Sequence, residues 1–367
     1  MTTTPAPVPD AAANAPASTR TGTPAVPPTR TEVVLPGLVE PRGLVVRSVA
    51  QQAPGPGRVL VRVQATGVSF AEQQMRRGKY YDQPAFPFVP GYDLVGTVVA
   101  TGPGAPAELL GRRAAAVVKT GAWASHVEVA AADLLPVPDG LDPADVETLL
   151  VNGITAWQML HEVAGVRPGG TVVVLGANGG VGSTLVQLAR HAGIRTIGTA
   201  ARRHHPLLRR LGAEAVDAHD PALHARLREL APEGVDAVFD HVGGPGIRDS
   251  RRLVRRGGVL VSYGTAATRD EQGNSRLPVL KLFARLALWS ALPDGRRATF
   301  YNFWSGSRRP RRFHARQQHA FARVTALLGE GVLQPQVAAR LPLQRAAEAL
   351  ELAESRTVAG KVVLLPR

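Results

Sequence analysis

The residues best placed to do chemistry in this chain are glycines. Gly176, Gly179 and Gly182 recur three apart in the run Gly176-Ala177-Asn178-Gly179-Gly180-Val181-Gly182. Before it lies Thr171 to Leu175, a continuous apolar run of the kind that forms a strand buried on both faces. After it comes a helical stretch from Val181 to His191, which Gly193 ends. A dinucleotide pyrophosphate must approach backbone N–H groups at a helix N-terminus, where the dipole favours anions, and side chains there would block it. The last glycine lets helix and strand pack closely. Any tight strand-to-helix turn can use glycine, so the flanking strand and helix are what point to a dinucleotide site.

The next strand bears on which dinucleotide. An NAD site usually places Asp or Glu about 20 residues after the first glycine, to hold the ribose 2′-hydroxyl. Here the strand Arg195 to Thr199 runs through Ala200 and Ala201 into Arg202-Arg203-His204-His205, with no acid. Guanidinium groups suit a 2′-phosphate, which a carboxylate would repel. The expected cofactor is therefore NADP(H), with Thr199, Ala200, Arg202 and Arg203 at its adenine side. The competing reading makes Arg202 and Arg203 two of many surface arginines.

Other elements must position this turn. From Thr31 to about Ala130 the chain reads as short β-rich runs between Gly/Pro turns, such as Val59 to Val63 and Leu94 to Val99, an antiparallel, barrel-like domain. Ala144 to Val163 has helical spacing. Further strands at Val235–Asp240 and Gly258–Tyr263, alternating with helical stretches, imply a parallel, doubly wound sheet. Arg297 to Trp304 reads as a last strand of that sheet, Phe313 to Leu328 and Gln344 to Glu354 as helices, and Lys361 to Leu365 as a closing strand.

Composition narrows the classes. At 367 residues, and about 150 residues per domain, two domains and a tail are expected. Residues 1–30 are rich in Pro, Ala and Thr, lack a signal-peptide core and cannot offset their ordering entropy, so they read as a disordered tail. No apolar run approaches the roughly 20 residues of a membrane span. The absence of cysteine removes disulfides, thiolate metal ligands, iron–sulfur clusters and cysteine nucleophiles, and fits a cytoplasmic enzyme. The net charge is +14, and only four of the 43 basic residues are lysines. Such a charge is compatible with nucleic acid or anionic membrane as partner, or with arginine spread over a solvated surface. No nucleic-acid module shows in the spacing, and neither partner is expected.

Several separated motifs, in order, resemble one family. These are Gly67-Val68-Ser69-Phe70, Arg77-Gly78-Lys79-Tyr80, Pro90-Gly91-Tyr92-Asp93, Gly153-Ile154-Thr155-Ala156-Trp157, the glycine turn, Phe239-Asp240-His241-Val242-Gly243-Gly244, Gly258 to Gly264 and Gly360-Lys361-Val362-Val363-Leu364. Together they resemble the zinc-free medium-chain dehydrogenases/reductases of the quinone oxidoreductase and zeta-crystallin type, from about Thr31 to Pro366. The resemblance implies an α/β fold: a GroES-like β-barrel catalytic domain at 31–151 and 306–367, and a Rossmann domain at 152–305.

The resemblance also implies site residues. Asn152, Thr155, Gly176, Asn178, Gly179, Gly180, Val181, Gly182, Val242, Gly243, Tyr263 and Gly264 would line the cofactor. Tyr80 matches a family tyrosine near the nicotinamide cleft, so its phenol would meet a substrate oxygen; a packing tyrosine on a loop is the alternative. Ser69, the other candidate catalytic residue, stands where the family usually has Asn, and Glu72 where it has Asp. Positions that carry catalytic zinc ligands elsewhere in the superfamily hold Ser69, Tyr92 with Asp93, and Asn152, so no metal is expected. Asp240 is expected to fix the loop after its strand.

The implied activity is zinc-independent, NADPH-dependent hydride transfer to a small apolar quinone or activated C=C substrate. The alternatives are an enoyl-thioester or tailoring reductase, and a redox-silent NADPH-binding protein with RNA affinity. The apolar stretch Val279 to Leu292 reads as a lid, a dimer contact or a membrane-surface helix, with the first two favoured. Arg296 to Arg316 reads as a solvated basic face or an anionic-substrate funnel. A homodimer through the edge strand at 298–304 is expected.

Overall fold

The computed structural model describes residues 26–80, 82–264 and 276–366. Most of the expected tail, up to residue 25, lies outside the described residues.

Two sheets carry the architecture. The first runs Val337–Pro342, Lys361–Leu365, Arg58–Val68, Asp93–Thr101, Arg113–Val117, Leu135–Pro136, with His126–Ala130 also paired to Arg58–Val68. Val59, Val61, Leu94 and Val98 sit in its core, inward residues of strands whose turns are set by glycine. Its outermost pair comes from the far end of the chain: Val337–Pro342 lies parallel to Lys361–Leu365, which runs antiparallel to Arg58–Val68.

The second sheet is parallel and six-stranded, in the order Glu214–Asp217, Arg195–Ala200, Thr171–Leu175, Val235–Asp240, Val254–Ser262, Arg297–Phe300. Strand order reverses between Thr171–Leu175 and Val235–Asp240. In open α/β sheets that reversal opens a crevice at the carboxyl ends of the two strands, where ligands bind. Every residue from Val172 to Leu175 is buried, as the uninterrupted apolar run requires.

Three elements depart from the expected ones. Glu214–Asp217 is a strand that its short, acid-bounded sequence does not announce. Helix Pro143–Trp157, capped by the Asp142 carboxylate on the N–H groups of Ala144 and Asp145, widens into a π-type turn over Gln158–Ala164. The expected strand Arg297 to Trp304 stops at Phe300. Phe303 and Trp304 turn inward instead. Trp304 stacks on Phe313 with centroids 5.7 Å apart, and its indole N–H donates to the Tyr92 hydroxyl. The aromatics therefore bury their area at the seam between the sheets rather than along an edge. On the outer edge, Ser290 Oγ accepts from the Ala298 N–H at 3.0 Å and donates to the Ala298 carbonyl, so that register position is satisfied within the chain. In the helix before it, Leu282 and Leu286 face the sheet while Leu280 and Leu288 face outward.

A buried charge cluster joins elements from both halves of the chain. Lys361 Nζ lies 2.7 Å from Asp93 Oδ2 and 2.5 Å from Glu147 Oε1. Glu72, on helix Phe70–Arg76, completes it. Burial, with Asp93 nearby, raises the Glu72 carboxyl to about 7. Burial also pushes Glu147 well above the usual carboxylate range, against the attraction of Lys361.

The Glu72 shift has a sign. Unfolded, this carboxyl ionises near 4.5; folded, it holds its proton to about 7. Between those values the native state binds more protons, so the stability that Glu72 contributes is complete below 4.5 and is lost as pH rises to 7. A Glu72→Gln variant should therefore gain on the parent by up to about 3 kcal/mol across this window. Urea unfolding of both proteins from pH 4.5 to pH 8 measures the difference, and a pH-independent gap would contradict the assignment.

Candidate active site

The glycine turn leaves the end of Thr171–Leu175 and enters helix Gly180–His191. Its geometry is built from backbone contacts. The Gly176 N–H donates to Thr199 Oγ1 at 3.1 Å and the Ala177 N–H to the Thr199 carbonyl at 2.8 Å, so the neighbouring strand holds the turn in place. A Cβ on Gly182 would stand 2.4 Å from the Gly176 carbonyl oxygen, a backbone atom that cannot yield. A Cβ on Gly179 meets only the Gly176 oxygen, at 3.5 Å, so the far side of Gly179 is open space. That space lies before the free N–H groups of the helix's first turn. A pyrophosphate fits such a cradle, and a side chain would fill it.

The expected residues gather around this turn. The Asn152 side chain, donating to the Thr148 carbonyl at 2.9 Å, packs against Gly180. Thr155 lies one turn further along the same helix and is buried. Asn178 presents its carbonyl to the Gly360 N–H, which ties the turn to the last strand of the first sheet. Across the crevice, Asp240 Oδ1 accepts from the N–H groups of Val242 and Gly243, both at 2.8 Å, and the Asp240 carbonyl accepts from the Tyr263 N–H. Asp240 is thus the loop-fixing carboxylate that its sequence position implies. Ala200 is buried; Val181 and Gly264 are half-buried.

On the adenine side, Arg202 Nε pairs with Asp217 Oδ2 at 2.6 Å, leaving the Nη groups of an exposed guanidinium available. Asp217 ends the strand that the sequence did not announce, and its pairing with Arg202 holds its carboxyl below the usual range. Arg203 reaches away to the carbonyl of Arg356.

The two expected catalytic residues come from the first domain. Tyr80 is half-buried on the loop after helix Phe70–Arg76. Ser69 stands at the N-cap of that helix, and its N–H donates to Glu72 Oε2 at 2.8 Å. The pair thereby forms a capping box at the start of the helix. His241, passed over in the sequence, sits in the crevice itself, its ring against Gly176. A lone histidine between Asp and Val carries no spacing signal that would have found it.

Zinc does not fit the donor set. Ser69 caps a helix, Tyr92 is engaged by Trp304, Asp93 by Lys361, and Asn152 packs on the turn. Among the described residues no three His, Asp or Glu side chains group as a metal site.

Comparison with known proteins agrees with this geometry. Residues 55–139 match the alcohol dehydrogenase GroES-like domain, and residues 211–364 match the family described as zinc-binding dehydrogenase. A synaptic vesicle membrane protein VAT-1 homolog from Mus musculus is 30% identical over 330 residues, covering 87% of this chain and 79% of that one. The chain belongs to the zinc-free medium-chain dehydrogenase/reductase superfamily, in its quinone oxidoreductase-like branch. Among solved members, a mycobacterial protein complexed with NADPH is 28% identical with a TM-score of 0.77, covering 92% of this chain and 100% of that one. A quinone oxidoreductase of Pseudomonas syringae is 25% identical with a TM-score of 0.78, at the same coverage. This medium-chain reductase is therefore an oxidoreductase with a GroES-like first domain and a Rossmann second domain.

The cradle makes a specific demand on Gly179. Its φ of −76° and ψ of 170° suit any residue, and a Cβ has room. Gly179→Ala should melt within about a degree or two of the parent yet bind dinucleotide roughly tenfold or more weakly. A thermal melt beside a nicotinamide-fluorescence titration reads both, and unimpaired binding would remove the turn from the site.

Proposed function

We propose that this reductase uses NADPH to reduce a quinone or an activated C=C bond in a small apolar substrate, without a metal. The observation that carries this reading is the open cradle at Gly179, set before a helix N-terminus at the strand-order reversal. The NADPH complex of the mycobacterial relative and the quinone oxidoreductase from Pseudomonas support it.

The residues present divide the work. The first-turn N–H groups of helix Gly180–His191 would hold the pyrophosphate. Arg202, through its free Nη groups, would meet the 2′-phosphate; the strand Arg195–Ala200 itself ends without an acid, and the carboxylate paired with Arg202, that of Asp217, is engaged by its Nε. The loop fixed by Asp240, with Val242 and Gly243, would line the crevice on its other side. Bound NADPH supplies the hydride. The first domain contributes Tyr80, whose phenol would hydrogen-bond the substrate oxygen and so favour the electron-rich product.

Two measurements test the reading. NADPH should bind about tenfold or more tightly than NADH, and an Arg202→Ala, Arg203→Ala double variant should lose that preference. Fluorescence titration of both cofactors checks this, and equal affinity in the parent would refute the NADPH assignment. Steady NADPH oxidation with a panel of quinones, enones and enoyl thioesters identifies the acceptor. No turnover with any of them, despite tight NADPH binding, would favour a binding protein over an enzyme.

A further inference from the structure

The sheet order fixes how a dinucleotide must lie. Its pyrophosphate belongs at the helix after Thr171–Leu175, and its adenine-side ribose at the end of the neighbouring Arg195–Ala200. The other half of the molecule must then cross to the carboxyl end of Val235–Asp240. His241 is the first residue beyond that strand.

The imidazole is held in one orientation. It occupies the place a Gly176 side chain would take: a Cβ built there stands 2.2 Å from His241 Cε1 and 3.1 Å from Nε2. Gly176 has φ +70°, a conformation that glycine adopts freely. On its other side the ring lies 5.9 Å from that of Tyr263. His241 Nδ1 is 3.0 Å from the Leu175 carbonyl oxygen. A carbonyl can only accept, so Nδ1 carries the hydrogen, and the neutral ring presents Nε2 as a bare acceptor.

The surroundings keep the ring neutral. Burial lowers the imidazole below the usual histidine range, against the pull of Asp240. Tyr263 is kept protonated, by burial first and then by Asp240. A neutral acceptor repels a phosphate oxygen and receives a hydroxyl. With the adenine half at the end of Arg195–Ala200, the hydroxyls that would reach this side of the turn are those of the ribose next to the nicotinamide.

We infer that His241 is a cofactor-positioning residue, its Nε2 accepting a hydrogen bond from the nicotinamide-side ribose of NADPH. The inference rests on the NADPH reading above and adds to it the group that orients the reactive half.

The test separates the two halves of the cofactor. His241→Phe keeps an aromatic ring against Gly176 but offers no acceptor. NADPH and adenosine 2′,5′-bisphosphate, which carries only the adenine half, are titrated by calorimetry against the full-length parent and the variant. The expected result is NADPH binding weakened about fivefold, the bisphosphate unchanged, and the NADPH-over-NADH preference retained. In nitrogen-15 spectra of the parent, the bare imidazole nitrogen should shift with NADPH and not with the bisphosphate. Equal affinity of parent and variant for NADPH overturns the inference and leaves the NADPH reading standing. So does an equal loss for both ligands, which would mean that His241 supports the turn rather than the ribose. A parent that binds no NADPH overturns both.

Discussion

The ammonium of Lys361 is the charge on which the joined structure depends. It is buried, and it stands between Asp93 on the first sheet and Glu147 on the helix that leads to the second. Removing it would leave carboxyl groups sequestered without a counter-charge, a far costlier state than losing a surface pair. Its position is set by the last strand, which enters the first sheet beside Arg58–Val68. One residue earlier, the Gly360 N–H reaches the Asn178 carbonyl in the glycine turn. A single short strand thus anchors the first domain's sheet, pairs with the buried Asp93 and Glu147 carboxylates and touches the cofactor cradle. Glu147 lies on the same helix as Asn152, which packs on Gly180. The floor of the crevice and the charge cluster therefore share one rigid element.

Much of this was legible in the sequence where signal is local. The run Thr171 to Leu175 reads as a strand buried on both faces, and the glycines after it, between that strand and a helix, point to a close approach of backbone to a ligand. The closing strand Lys361–Leu365 was equally plain. What escaped was non-local. Asp93, Glu147 and Lys361 are more than 200 residues apart at the extremes, and no spacing rule joins them. Arg297 to Trp304 reads as one strand because aromatic residues favour strands. Yet Phe303 and Trp304 find their burial against Phe313 and Tyr92, which only the packed structure brings near. Ser69, a candidate catalytic residue by resemblance, also caps a helix, because Glu72 three residues on supplies the other half of the motif.

The arginine-rich composition takes on definite form at a few positions. Arg202 pairs with Asp217, Arg251 with Asp294, and Arg76 with Glu354, each bond tying a loop or helix to its neighbour. The Arg76–Glu354 pair is largely buried, so it holds helix Phe70–Arg76 against the C-terminal helix Ala346–Glu354. Arg308, Arg309, Arg311 and Arg312, by contrast, are exposed around the start of helix Pro310–Gly329. The same residue type thus serves as internal cross-link in one place and as solvated surface in another. Net charge alone could not tell these uses apart.

The seating of His241 against Gly176 carries a consequence for how this chain can change over time. The imidazole fills the volume that any side chain at 176 would need. The two positions are 65 residues apart in the chain but form one steric unit. A substitution at 176 meets the ring first, whatever its merit elsewhere, while a smaller residue at 241 would open a gap beside the turn. Their fitness effects cannot be independent: a mutational path that alters one must pass through the other, and the order of the two steps decides which intermediates fold.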